Sequence, residues 1–409
     1  MTVKHFKNII VANENQKEDD FYYLIEKEFT IALKKYFDVV PEYITTEYIS
    51  IDNLSKKLIS KKITKESIII NLGFIRSDKD KFEDILSNKI TLKFLIRYLL
   101  ADPSNKLVIS EFMENINYTP LIKNYFPQQL HKQIYFLTSN IDIEQEEINI
   151  IHSQLFLPYA LKIINNVDNT KLDITNNFQI NANAVRGTKL IVMHMLKHFN
   201  LLQEGKYSYG KLVTPNLKKL VLNFYKNHKS IDLLKECFEH EINSTYINNV
   251  FGHTSDDSQK LYVGNKYFNF KLGKTYVDTY RKSLLGVVIE DNLTAHNDQC
   301  YVIPKTNFVT EKTYYNMYFK NPFIIFNNQH FFKNMKKLFG YKSFSPWIDE
   351  SYDDIEDDIE RYYTAIQELI KIQNMSDNDK KTFLQNVKPI CEHNFNIMSE
   401  TVKHKNYFQ

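Results

Sequence analysis

Short apolar runs separated by longer mixed stretches set the rhythm of this chain. Asn8 to Ala12 (NIIVA), Ser67 to Leu72, Leu107 to Ser110 and Ile134 to Thr138 are rich in β-branched residues and of strand length. Continuous apolarity over so short a run marks a strand covered on both faces. Tyr22 to Tyr36 instead carries Leu24, Ile25, Phe29, Ala32 and Leu33 at helical spacing, which predicts an amphipathic helix. Strands alternating with helices predict a doubly wound parallel sheet. A polar, turn-rich stretch from Asn165 to Asn177 (NNVDNTKLDITNN) breaks the rhythm, which restarts at Phe178. The pattern therefore predicts an α/β chain of two Rossmann-like domains, residues 1–175 and 176–350, with closing helices over 351–409.

The later part of the chain carries the more specific pattern. Leu284 to Ile289 is uninterrupted and apolar, a buried parallel strand, and Glu290 emerges at its carboxyl end. In open α/β sheets ligands bind at that edge. Thr310, ahead of Glu311 and Lys312, reads as the N-cap of a helix whose free N–H groups and positive dipole end suit a phosphate. The apolar run Pro322 to Phe326 follows as another strand. A carboxylate at such a helix start accepts ribose hydroxyls, and Lys312 offers a cation to a diphosphate. An ordinary capped helix, with Glu311 only complementing the dipole, fits the same spacing.

Composition narrows the class. A chain of 409 residues with 43% hydrophobic and 14% aromatic content has ample material for two cores. Its 52 basic and 49 acidic residues leave a net charge of +3, which by itself does not mark a nucleic-acid binder. Cys237, Cys300 and Cys391 are widely spaced and form no metal-ligand pattern, which suits a reducing compartment. No stretch reaches the ~20 apolar residues of a membrane span, so a cytoplasmic protein is expected. The acidic run Asp349 to Glu360 lacks the glycine and alternating ligands of a hard-cation loop. It reads as a solvated helix start with Ile355, Ile359 and Tyr362 on one face. His194 and His198 stand four apart with no catalytic Glu beside them, so they read as a packing pair. His253 falls in an expected loop where a substrate contact is the minor reading. Trp347 and the aromatics from Tyr314 to Phe319 read as core and interface residues.

Several blocks occur in the order of a known family. Glu290-Asp291-Asn292, then Phe308-Val309-Thr310-Glu311-Lys312, Asn316 and Pro322-Phe323-Ile324-Ile325 resemble the donor-site signature of the α1,3-fucosyltransferases. Gln179 to Arg186, followed by Met195 to Phe199 and Gly205-Lys206-Tyr207, is similar to that family's strand, phosphate-binding Arg and helix. Upstream, Leu107 to Glu111 resembles its strand and Glu-bearing turn, and Leu155 to Tyr159 its Pro-Leu-Tyr stretch. The segments Phe308 to Thr313 and Ser345 to Asp353 also resemble glycosyltransferase-like proteins of large bacteriophages. The chain departs from the family in two places. Glu290 and Glu311 lie 21 positions apart, so a loop within residues 293–307 is inserted, and Lys320-Asn321 replaces a small Ala-Gly pair.

The resemblance implies a GT-B-like fold with a cleft between two Rossmann-like domains and terminal helices that cross back to the first. It implies metal-free transfer, with inversion, from a nucleotide sugar, a GDP-sugar before a UDP-sugar. Arg186, Glu290, Asn292, Thr310, Glu311 and Lys312 would bind the donor. Glu111, leaving the carboxyl end of its strand, would take the proton from the acceptor hydroxyl, with Glu114 and Glu14 as substitutes. The acceptor would be a glycan, a modified DNA base or a protein. A non-catalytic nucleotide- or glycan-binding module on the same fold is the alternative.

Overall fold

A strand with no polar face needs a layer of structure on each side, and Leu107, Val108 and Ile109 are each fully buried for that reason. The computed structural model describes residues 8–13, 45–50, 68–74, 83, 86–111, 118–143, 147–154, 157, 160, 164, 167–182, 185–210, 216–242, 251–252, 260–263, 266–269, 271–272, 274–290, 293–296, 299–302, 307 and 309–405. Of these, residues 8–74, 111, 251–272, 275, 294–302 and 402–405 are described as backbone alone. The chain divides into two compact units, Met1–Leu155 with Tyr262–Lys266, and Phe156–Leu261 with Tyr267–Gln409.

The first unit is built on β1 (Asn8–Asn13), β2 (Thr45–Ser50), β3 (Ile68–Phe74), β4 (Lys106–Glu111), β5 (Ile134–Thr138) and β6 (Asn149–His152), with helices α1 (Lys89–Ala101) and α2 (Thr119–Tyr125). Its sheet has the order β2-β1-β3-β4-β5-β6, and every pair is parallel. The apolar runs read from sequence are β1, β3, β4 and β5. Strands β2 (TTEYIS) and β6 (NIIH) escaped that reading. Each is an edge strand with one neighbour, so neither needs a continuous apolar run. The helix expected over Tyr22 to Tyr36 lies outside the described residues.

Asn88 caps α1 by accepting from the backbone N–H groups of Ile90 and Thr91 at 3.1 and 3.2 Å. The buried side of that helix, Leu95, Tyr98 and Leu99, packs with Leu107, Ile109, Ile122 and Phe136. The register pairs Phe74, Glu111 and Thr138 across the carboxyl edge of three neighbouring strands. Glu111 is therefore the last residue of a central strand, at the edge where ligands bind in such sheets.

The second unit contains β7 (Asn176–Ala182), α3 (Gly187–His198), β8 (Gly205–Tyr209), α4 (Leu217–Phe224) and α5 (Ile231–Glu239). Four short strands follow along the chain, β9 (Phe251–Gly252), β10 (Lys260–Val263), β11 (Lys266–Asn269) and β12 (Lys271–Leu272), paired as β10-β11 and β12-β9, with Tyr262–Lys266 counted in the first unit. Then come α6 (Lys274–Arg281), β13 (Ser283–Ile289), β14 (Leu293–His296), β15 (Gln299–Val302), α7 (Glu311–Tyr318) and β16 (Phe323–Phe326). Helices α8 (Phe331–Phe339), α9 (Asp358–Gln373) and α10 (Asp377–Lys405) close the chain. The main sheet has the order β16-β13-β7-β8, all parallel. Every residue of β13 and β16 is buried, as their uninterrupted apolarity predicts. The inserted loop is an antiparallel hairpin, β14 with β15, set against α3 and α4.

The polar stretch ahead of β7 is docked on the second unit. Lys171 Nζ donates to the carbonyls of Tyr280 and Ser283 at 3.2 and 2.8 Å. Arg281 pairs with Asp168 at 2.7 Å, and Tyr318 Oη donates to Val167 O at 2.6 Å. The polar residues that suggested a linker are bonded to α6, the start of β13 and the end of α7.

The acidic segment departs from the expected solvated helix start: the helix begins only at Asp358, Ile355 lies ahead of it and is half-buried, and the carboxylates of Glu350 and Asp353 accept backbone N–H groups. Asp353 is 7% exposed and accepts from the N–H groups of Phe331 and Phe332 at 2.8 and 3.1 Å, capping α8. Burial pushes its carboxyl up to about 7 against those bonds. Asp357 caps α9, whose Ile359 and Tyr362 are buried as expected. Trp347 was expected in the core or an interface and is 40% exposed, while Tyr314, Tyr315 and Phe319 are buried. His194 Nδ1 lies 3.3 Å from Cys237 O, and His198 Nδ1 lies 3.2 Å from His240 Nε2, so the pair packs against α5 and its end. No helix among the described residues is long and apolar enough to cross a membrane.

Candidate functional site

The order β16-β13-β7-β8 has a switch point between β7 and β13, since the chain winds outward from these two strands in opposite directions. Their carboxyl ends splay their connections apart and leave a crevice, the usual ligand position in such sheets. From β7 the chain enters α3 through Arg186, which is exposed and holds the N-cap position in extended backbone. Gly187 follows with Leu293 packed against it. A Cβ there would fall 2.6 Å from Leu293 Cγ and 2.8 Å from Leu293 O, so only glycine fits. Thr188 Oγ1 accepts from Leu293 N at 2.9 Å and ties the start of β14 to the same turn. Lys189 comes next and is 5% exposed.

From β13 the chain reaches Glu290, 2% exposed, whose N–H donates to Phe326 O at 3.0 Å across to β16. Its Oε1 accepts the hydroxyl proton of Thr310 at 2.6 Å. Thr310 Oγ1 in turn accepts from Lys312 N at 3.3 Å, so the cap of α7 forms as its sequence predicts. Lys312 Nζ donates to Glu311 Oε1 at 2.6 Å, and both side chains are about a quarter exposed or less.

A buried polar network holds α7 on the sheet. Asn316 Oδ1 accepts from Gln179 Nε2 at 2.9 Å, and Asn316 Nδ2 donates to Lys312 O at 3.0 Å. Asn181 Nδ2 continues the network to Gln179 Oε1 and Tyr280 Oη at 3.1 and 2.8 Å. Asn316 comes this close because β13 has a glycine beneath it. A Cβ on Gly286 would sit 2.5 Å from Asn316 Cγ.

The charges act on one another. Burial pushes Glu290 up to about 7, outweighing the opposing pull of Lys312, the Thr310 bond and Lys189. Burial would raise Glu311 as well, but the charge and hydrogen bond of Lys312, with Lys189, hold it below the ordinary carboxylate value. Two carboxylates 21 positions apart are thus driven in opposite directions. Arg186, Lys189 and Lys312 supply three cations beside the first turns of α3 and α7. Two helix N-termini and three cations at one sheet edge form a setting for a polyanion, with Glu311 as an ionised acceptor beside them.

Arg186, Glu290, Thr310, Glu311 and Lys312, singled out from sequence, all stand at this carboxyl edge. Asn292, His253, Glu14 and Glu114 lie outside the described residues. Glu111 ends β4 in the first unit. Lys189 escaped the sequence reading. Its signal was a lone cation three residues after Arg186 in an otherwise apolar helix start, GTKLIVMHML. Among the described residues no group of three or more His, Cys, Asp or Glu is arranged to hold a metal ion.

No protein-family model matches the chain, and no curated protein matches it. Among solved structures the chain is similar to an alpha-glucosyltransferase in complex with UDP-glucose and DNA containing an abasic site. That match has 9% identity and a TM-score of 0.41, covering 98% of this chain and 100% of that one, a likeness too weak to place the chain in a family.

Proposed function

We propose that the protein is a GT-B-like glycosyltransferase that moves a sugar from a nucleotide-sugar donor to an acceptor hydroxyl. The observation that carries this reading is the convergence of Arg186, Lys189, Glu311 and Lys312 at the β7/β13 switch point. That edge offers cations to a diphosphate and a carboxylate to the paired hydroxyls of a ribose. On this reading the cations stabilise the nucleoside diphosphate as it leaves, which is charge that grows in the transition state. They do so without a metal, and the sugar transfers with inversion. A GDP-sugar is the first choice of donor and a UDP-sugar the second. A modified DNA base or a glycan supplies the hydroxyl.

Glu111 is the proposed base. Its place at the carboxyl edge of a central strand supports that role, as does a carboxylate's fitness to take a hydroxyl proton. The test is release of nucleoside diphosphate from UDP-glucose and GDP-fucose, with hydroxymethylated DNA or oligosaccharides as acceptors. Glu111→Gln is expected to cut acceptor-dependent release about 100-fold or more while leaving sugar-nucleotide affinity unchanged, in the range for loss of a general base. Unchanged release would remove Glu111 from the mechanism. Acceptor-independent binding with no release under any condition would favour the binding-module reading.

A further inference from the structure

Glu290 is 2% exposed and lies among the groups assigned to the donor. Its Oε1 accepts from the Thr310 hydroxyl at 2.6 Å. Thr310 has a single hydroxyl proton, and giving it to Glu290 leaves a lone pair aimed at Lys312 N–H. The direction of the α7 cap is therefore set from the end of β13. The same bond closes the base of the β14–β15 insertion, whose other side is tied down by Leu293 N on Thr188 Oγ1. Among the described residues, the charged groups that act on Glu290 are Lys312 and Glu311 from α7 and Lys189 from α3. On the β16 side it meets the backbone of Phe326.

We propose that Glu290 is a positioning residue, which holds the first turn of α7 through Thr310 and takes up a proton when an anionic ligand settles at the switch point. The ligand half of this statement rests on the donor reading above. The proton comes from solvent and lands on the Glu290 carboxylate, while its Oε1 keeps the Thr310 bond. The direction follows from electrostatics. A bound diphosphate adds negative potential beside a buried carboxylate already raised to about 7, so it favours the protonated form. Binding is then tighter below neutral pH and weakens above it.

The variant Glu290→Gln keeps an acceptor for Thr310 and fixes the neutral state. The probes are UDP-glucose and GDP-fucose, whose diphosphates do not titrate near neutrality, measured by calorimetry on the full chain. Wild-type affinity is expected to fall about tenfold between pH 6 and 8, the change for one proton lost through a midpoint of about 7. Glu290→Gln is expected to stay flat over that range, and the same slope in both proteins overturns the proposal. Melting profiles without ligand supply the second arm. A carboxyl that binds its proton more tightly folded than unfolded loses folding stability as pH rises from its unfolded value towards about 7. Wild type should therefore lose ground to Glu290→Gln between about pH 5 and 7, and parallel profiles overturn the proton uptake. If neither sugar nucleotide binds wild type at any pH, the donor reading falls with the ligand half, and the melting profiles alone decide the rest.

Discussion

Lys312→Ala is expected to weaken sugar-nucleotide binding about 100-fold or more while the fold persists. A hydrogen bond from a charged donor contributes about 1.5–3 kcal/mol, and its loss alone accounts for roughly 10- to 150-fold. A second effect acts in the same direction. Lys312 is bonded to Glu311 Oε1 at 2.6 Å, so its removal leaves that carboxylate uncompensated beside the bound diphosphate. The double variant Glu311→Ala/Lys312→Ala removes the repelling charge together with the ribose acceptor, and should lose less than the sum of the two single losses. That shortfall is the coupling a double-mutant cycle reads. Calorimetry on the three variants checks it, with melting temperature as the control for folding. A strictly additive loss would mean that the pair does not act as a unit.

Arg361→Ala is expected to destabilise the second unit by about 3–5 kcal/mol, the usual cost of leaving buried charged or polar partners unmatched. Arg361 is 3% exposed and serves several acceptors at once. Its Nε donates to Asn327 O at 2.8 Å, just past the end of β16, and its guanidinium reaches Ile355 O at 2.6 Å, Glu356 O at 3.1 Å and the Asp358 carboxylate. It thereby fixes the end of β16 to the segment that leads into α9. Losing it orphans carbonyls that water cannot easily reach and frees the end of a strand beside Glu290. Arg361→Lys restores the charge but not the fork, so it should recover only a minority of the loss. Thermal unfolding of the two variants against wild type measures this, and a change of under about 1 kcal/mol would show that the clamp is dispensable.

The legible parts of the chain were those in which one residue type has one use. Leu284 to Ile289 has no polar face, so a strand buried on both sides was the natural reading, and Glu290 had to emerge at its ligand edge. Thr310 before Glu311 carried the chemistry of a cap and became one. Less was legible where a residue's role depends on distant partners. Lys189 is an unremarkable helix lysine in sequence, and only the return of β13 and α7 places it beside two carboxylates. Gln179 and Asn181 lie in a buried strand, and their bonds come from Asn316 and Tyr280, more than ninety positions away. The stretch before β7 had a linker's composition, yet its Lys171 and Asn169 bond residues of α6, β13 and α7 more than a hundred positions later. The insertion between Glu290 and Thr310 was visible as a length, but its hairpin form depends on pairing that spacing does not encode.

The most direct test of the central claim is a calorimetric screen of the purified full chain against GDP, UDP, CMP and their sugar conjugates, with Mg²⁺ and with EDTA. The account predicts that one nucleotide class binds selectively, that EDTA leaves its affinity unchanged, and that Lys312→Ala abolishes most of the heat. Absence of binding by every nucleotide, or equal binding by wild type and Lys312→Ala, would contradict a donor site at the β7/β13 switch point.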